Sequence, residues 1–413
     1  MQIARTGGAR IYWLAVAFVS TSITARLLGP EGRGVVAAAS GWVALFASFA
    51  GLSMAQVILF IATGREESEW LPKTLGTVLA IIATMTLVGW AVAFAGANVQ
   101  GGVMFRHLSG PVLITAFAVL PLMMWNESAL SFFVATGLID RLNLWQVVAA
   151  TSSLAAVVLF VTALRWGVLG ALLAMAVYQM IVGAATLITI ERRSGRPEVD
   201  RGMLRTLIAG GMKLHLSTIA SFAIVQANVL LVNALRPAVE TGLYQLAVQL
   251  ISAIQMFPFA VNVATTNAVT RDGPDVAWPR QKQLLVQSCA VSAAITAAGF
   301  FLAPVVIRIV GGPRFMPAVP MLRILLVSLV AMNFSAVMSS QWIARGMFLR
   351  LTAISAVTAL ISAVLNWLLI PRYGAIGSAW VTVGVYGSGM IVNAGLAFWV
   401  ERRQHAPDHL RRG

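Results

Sequence analysis

The 413 residues contain one cysteine, Cys289, so no internal disulfide can form, and its place inside an apolar run says nothing of redox compartment. Acidic residues are scarce, 14 Asp and Glu against 29 Lys and Arg. The aspartates, Asp140, Asp200, Asp272, Asp275 and Asp408, all lie between apolar runs, and two of them belong to the turn-forming stretch Arg271-Asp272-Gly273-Pro274-Asp275. That leaves no acidic cluster for metal or general-base chemistry in a sizeable loop, which a membrane glycosyltransferase or polymerase would need. The histidines His107, His215, His405 and His409 have no metal-ligand spacing, and no phosphate loop or nucleophile elbow occurs. No catalytic residue, metal or cofactor is expected. Lysine is confined to Lys73, Lys213 and Lys282.

Apolar residues fill the space left by charge. Hydrophobic residues make up 59% and charged residues 10% of the chain, and the mean hydropathy is +0.85. A soluble domain carries about a quarter charged residues. The composition is that of an integral membrane protein, and spans of about 20 apolar residues leave little chain for a soluble domain.

Runs interrupted by Gly, Pro and charge predict spans near 11–28, 34–62, 71–95, 108–135, 142–164 and 167–190. A second set follows near 214–235, 242–268, 284–307, 322–343, 350–370 and 375–400. Arg5 and Arg10 precede the first run, but Ala25-Arg26-Leu27-Leu28-Gly29 offers no cleavage site, so this run is expected to stay as a span. Most of the basic residues fall on the N-terminal side of the membrane, which places both termini in the cytoplasm. The net charge of +15 therefore reports topology, and no nucleic-acid partner is expected. The longest connection, near 191–213, carries Arg192, Arg193, Arg196, Arg201 and Arg205. It reads as a solvated cytoplasmic linker, or as a segment docking on anionic headgroups.

The two sets repeat at an offset of about 208 residues. Leu28-Gly29-Pro30-Glu31-Gly32-Arg33-Gly34 falls on Leu235-Arg236-Pro237-Ala238-Val239-Glu240-Thr241-Gly242, with Gly34 matching Gly242. Ala135-Thr136-Gly137 falls on Ala344-Arg345-Gly346, and Arg165-Trp166-Gly167 on Arg372-Tyr373-Gly374. Six spans per half is an even number, so the halves are parallel. The expected fold is an all-α integral membrane protein of about 12 transmembrane helices in two parallel-related six-helix lobes, 1–200 and 201–413, with the site between lobes near mid-membrane.

Three stretches resemble the polysaccharide transporter family, the lipid-linked oligosaccharide flippases of the multidrug/oligosaccharidyl-lipid/polysaccharide superfamily. They are Ala25-Arg26-Leu27-Leu28-Gly29-Pro30-Glu31-Gly32-Arg33-Gly34, Gly242-Leu243-Tyr244-Gln245-Leu246-Ala247, and Asn366-Trp367-Leu368-Leu369-Ile370-Pro371-Arg372-Tyr373-Gly374-Ala375-Ile376-Gly377-Ser378-Ala379. The resemblance implies export of a lipid-linked oligosaccharide from the cytoplasmic leaflet of the cell membrane by alternating access. Membrane lipids are its other partners, and H+ or Na+ could couple the cycle. A drug/cation antiporter and a peptidoglycan lipid-precursor flippase share the fold. The first should carry several intramembrane acids and the second more than twelve helices.

An anionic diphosphate calls for cations and amide donors. His215, Gln226 and Asn233 in the seventh span lie within about 20° of one face at 100° per residue. Gln245, Gln249 and Ser252 share a face of the eighth. These polar stripes can bind sugar or phosphate, or hydrogen-bond neighbouring helices. Arg26, Arg10 and Lys213 at span ends can attract the diphosphate or serve topology. Glu127 is the one acid deep inside a predicted span, a candidate for ion coupling or for locking the bundle. Pro258 and Pro304 predict kinks.

Overall fold

The computed structural model describes residues 2–63, 65–98 and 105–405, and these are almost entirely helical. The chain forms two compact units, Met1–Gly242 with Val310–Arg314, and Leu243–Ile309 with Phe315–Gly413. Each of the twelve expected apolar runs falls mainly on helix, with the run 34–62 interrupted at 51–53.

The first unit holds α1 (Gln2–Ala50), α2 (Met54–Ala62), α3 (Glu67–Asn98), α4 (Gly110–Ala118), α5 (Leu120–Ala135), α6 (Ile139–Val157), α7 (Gly167–Ser194) and α8 (Arg201–Leu235). Gly29 interrupts α1 with φ 67°, a conformation that glycine adopts without a Cβ penalty. Pro30 follows it, where a new helical arm loses nothing by lacking an N–H. A π turn, Val158–Ala163, extends α6. The core is built on fully buried Ile58, Leu71, Leu75, Leu120, Phe132, Phe133 and Ile190, with Trp70 and Trp125 both stacked on Phe132. The Trp125 indole donates to Thr186 Oγ1 at 2.9 Å, tying α5 to α7.

The stretch expected as a linker is mostly helix. α7 runs to Ser194 and α8 begins at Arg201, with Asp200 capping it by accepting from the Met203 N–H at 2.6 Å. The short connection is docked on α3. The Glu198 N–H donates to Pro72 O at 3.1 Å and the Asp200 N–H to Thr77 Oγ1 at 3.1 Å, and Gly76 leaves no room for a Cβ beside Glu198. Arg, Leu and Met are good helix formers, and buried Met203 and Leu207 give the first turns of α8 an inward face. Basic residues mark the membrane side without preventing helix.

α9 (Ala238–Ile254) begins in the first unit and continues into the second. The second unit then holds α10 (Met256–Asp272), α11 (Trp278–Val310), α12 (Val319–Ala344) and α13 (Phe348–His405). Pro258 is the third residue of α10, and the helix is interrupted at Gln255, within the turn before it, where the proline ring crowds the carbonyl of residue i−4. Pro304 lies inside α11. Gly374 breaks α13 with φ 62°. The break is needed, since the 53 residues of its apolar part would measure about 80 Å as one helix against a hydrocarbon core of about 30 Å. Repeat-paired glycines share backbone conformation: Gly137 and Gly346 have φ 69° and 67°, and Gly167 and Gly374 have φ 57° and 62°.

Among the described residues, eight helices are long and apolar enough to cross a membrane. Large apolar side chains point outward: Phe94, Ile114, Phe301 and Ile391 are each at least 73% exposed. Helices that satisfy their own backbone and present such faces suit lipid and not water.

Candidate functional site

The fold opens one polar point inside an apolar helix. Gly51-Leu52-Ser53 separates α1 from α2, and Leu52 and Ser53 take left-handed φ of 46° and 52°. Two residues thus leave the helical conformation in the middle of a predicted span, while the Gly51 N–H before them still donates to Ala47 O at 2.8 Å. Non-glycine residues reach that region at some strain, and such strain persists only where surroundings hold it.

Two helices hold it here. On α8, a Cβ at Gly211 would come within 2.1 Å of Leu52 O, so the glycine lets α8 press on the break. Ser53 Oγ donates to Thr218 Oγ1 at 2.8 Å and lies 3.4 Å from His215 Nδ1. The Phe49 ring meets the His215 imidazole edge-on at 6.3 Å. On α5, Glu127 extends its carboxylate to the other end of the break. A Cβ at Gly51 would stand 3.2 Å from Glu127 Oε2 and 2.9 Å from Ala47 O. The missing side chain therefore leaves a carboxylate and a helix-end carbonyl around one small space. Part of the Glu127 residue surface remains exposed. Beside it, Asn126 Nδ2 donates to Gln179 Oε1 at 2.5 Å, linking α5 to α7.

Of the residues singled out from sequence, the structure brings Glu127 and His215 to the two ends of this break. Asn233 is fully buried near the end of α8, about 27 Å of helix from His215. Its Nδ2 donates to Arg106 O at 3.3 Å, and Arg106 Nη1 donates back to Ala234 O at 3.3 Å. This amide pins the turn before α4. Gln226 lies between them and is half-buried. Lys213 is exposed, and Arg26 is exposed one turn before Gly29, its stem 3.7 Å from the position of a Gly312 Cβ. Arg10 is part of α1, but its side chain falls outside the described residues. Gln245 and Gln249, both half-buried, belong to the second unit, where Gln245 Oε1 has no hydrogen-bond partner among the described residues.

Sequence reasoning missed Gly51, Ser53, Gly211 and Thr218. A Gly-x-Ser interruption within a long apolar run, and the Gly210-Gly211 pair within a polar stripe, were the signals available.

A family model described as "Polysaccharide biosynthesis protein" matches residues 8–269. The chain belongs to that family. A search of the curated proteins finds no match. Among solved structures, the lipid II flippase MurJ in an inward closed conformation superposes with a TM-score of 0.75 at 11% identity, over 97% of this chain and 90% of that one. An inward-facing multidrug resistance MATE family transporter gives 0.73 at 15% identity, over 95% and 94%. A MOP superfamily transporter from Pyrococcus furiosus gives 0.64 at 15% identity, over 97% and 95%. The fold of the family member described here is thus the transporter fold of the multidrug/oligosaccharidyl-lipid/polysaccharide superfamily.

Proposed function

We propose that the protein is a flippase that carries a polyprenyl-diphosphate-linked oligosaccharide, an O-antigen, capsule or exopolysaccharide unit, across the cytoplasmic membrane by alternating access. It would cross the membrane twelve times, with both termini in the cytoplasm and lobes 1–200 and 201–413 as the moving bodies. Family membership supports polysaccharide biosynthesis as the setting, and the fold supports transport. No catalytic step or cofactor enters this reading.

The observation that carries a coupled cycle is the Glu127 carboxylate against the broken helix at Gly51. An ionised carboxylate at membrane depth is costly unless a cation accompanies it. H+ or Na+ taken up at the Glu127 carboxylate removes that cost, and its release restores it. A discontinuous helix is where such ions act in transporters. Ser53 transmits the state of the break to α8 through Thr218 and His215. Arg26, Arg10 and Lys213 supply cations for the diphosphate, and His215, Gln226, Gln245 and Gln249 supply donors for phosphate and sugar, whereas Asn233, expected from sequence to join them, is fully buried and held on Arg106 O.

Proteoliposomes test this directly. A labelled polyprenyl-diphosphate oligosaccharide should become accessible on the opposite leaflet, faster under a proton or sodium gradient, and Glu127→Gln should remove the gradient response. Movement of an organic cation alone, or of the peptidoglycan lipid precursor alone, would replace this reading with the antiporter or the precursor flippase. Sugar-lipid movement that Glu127→Gln leaves unchanged would refute the ion site.

A further inference from the structure

The second unit carries a cavity of about 400 Å³ lined by none of the candidate site residues named above. Its walls are the rings of Trp342 and Trp399 with Met347, Ile354 and Leu396, and Arg350 stands among them, exposed. The cavity lies where the end of α12, the turn at 345–347, the start of α13 and its last turns converge. This is the basic end of the unit, with Arg271, Arg280, Lys282, Arg345, Arg350 and Arg402 near helix ends.

The walls are fixed from behind. Trp342 Nε1 donates to Asn393 Oδ1 at 2.7 Å, and Asn393 Nδ2 donates to Gly389 O at 2.8 Å, so the indole is held with its face available. Trp342 and Leu396 are members of the buried apolar cluster of this unit, against which Met347, Ile354 and Trp399 pack.

The charge beside the cavity is only partly answered. The Arg345 guanidinium lies 5.5 Å from the centre of the Trp399 ring. Its side chain is 8% exposed, Nη2 donates to Asp275 at 2.7 Å, and Nε is buried with no hydrogen-bond partner among the described residues. Of the other acids at this end, Glu401 is engaged by Lys282 at 2.7 Å and by the Trp278 indole at 3.0 Å, and Asp272 by Arg271 at 2.7 Å. Arg350 at an aromatic and aliphatic cleft, with Asp275 held by Arg345 and Glu401 by Lys282, matches a ligand with an apolar chain and a single negative headgroup.

We infer that this cavity binds an anionic glycerophospholipid, its acyl chain between Trp342 and Trp399 and its phosphate at Arg350. The inference requires only that the chain lie in a membrane, so it stands or falls separately from the transported substrate.

The test is native mass spectrometry of the full-length protein in detergent, with phosphatidylglycerol and phosphatidylcholine added at equal concentration. The wild type should retain phosphatidylglycerol in preference. Arg350→Gln should lower that retention roughly fivefold, the contribution of one basic residue at a membrane surface. Ala353→Trp, which fills the cavity from its wall without removing a hydrogen bond, should lower it likewise. Arg350 is exposed, so the first variant does not endanger folding. Equal retention of both lipids by the wild type, undiminished phosphatidylglycerol in both variants, or preference for a polyprenyl diphosphate would each overturn the inference.

Discussion

Gly34 and Gly242 occupy equivalent places in the two sequence repeats, and their backbones meet reciprocally. A Cβ on Gly34 would stand 1.8 Å from Ala238 O, and a Cβ on Gly242 would stand 1.9 Å from Pro30 O. Pro30 is matched in the repeat by Pro237, the residue before Ala238, so the two contacts are close to reciprocal, as in a two-fold contact. Replacing either glycine by alanine requires the two helices to part by at least about 1.2 Å, because real Cβ atoms essentially never approach closer than 3.0 Å. Overpacking of this kind costs about 1–3 kcal/mol. One separation relieves both contacts, so the Gly34→Ala/Gly242→Ala double variant should lose about as much as either single variant and not the sum. The assay is the thermal midpoint in detergent at a fixed scan rate, where each kcal/mol appears as a few degrees. Gly384→Ala and Gly395→Ala, whose added Cβ would meet nothing within 4 Å, serve as controls and should be neutral or slightly stabilising. Additive losses in the double variant, or single variants as stable as the controls, would refute the reasoning.

Gly211→Val should displace Leu52 O from its 2.1 Å clearance and reshape the break; transport in proteoliposomes should fall more steeply than stability, and equal falls would reduce the break to a packing feature. Trp125→Phe removes the 2.9 Å bond to Thr186 in the buried core, which should cost about 1–2 kcal/mol by thermal shift. Asp275→Asn weakens the ion pair that answers the buried side chain of Arg345; because Asp275 is itself 65% exposed, the loss should be at most about 1 kcal/mol and should shrink at high salt. Ser53→Ala removes the bond to Thr218 and should slow gradient-driven turnover while leaving the thermal midpoint within about 1 kcal/mol of wild type.

Membrane residence, the apolar runs, the repeat and the lone intramembrane acid were determined by the sequence alone, because each is a property of composition or spacing along the chain. Glu127 stands out in any reading, since a single carboxylate among apolar residues needs no coordinates to be noticed. Its neighbour could not be read. Gly51 is 76 residues away, and Gly-Leu-Ser has the same apolar character whether it continues a helix or breaks one. His215 was legible as one member of a stripe, but its neighbour Ser53 lies 162 residues earlier, and the periodicity that placed Asn233 on the same face did not tell that Asn233 pins a turn at Arg106. The repeat identified Gly34 and Gly242 as equivalents. Only tertiary structure decided that they touch, because equivalence is a relation between sequences whereas contact depends on where two helices cross. The docked connection before α8 follows the same logic: arginines placed it on the basic side of the membrane, and Asp200, Gly76 and the carbonyl of Pro72 decided that it packs instead of trailing in solvent.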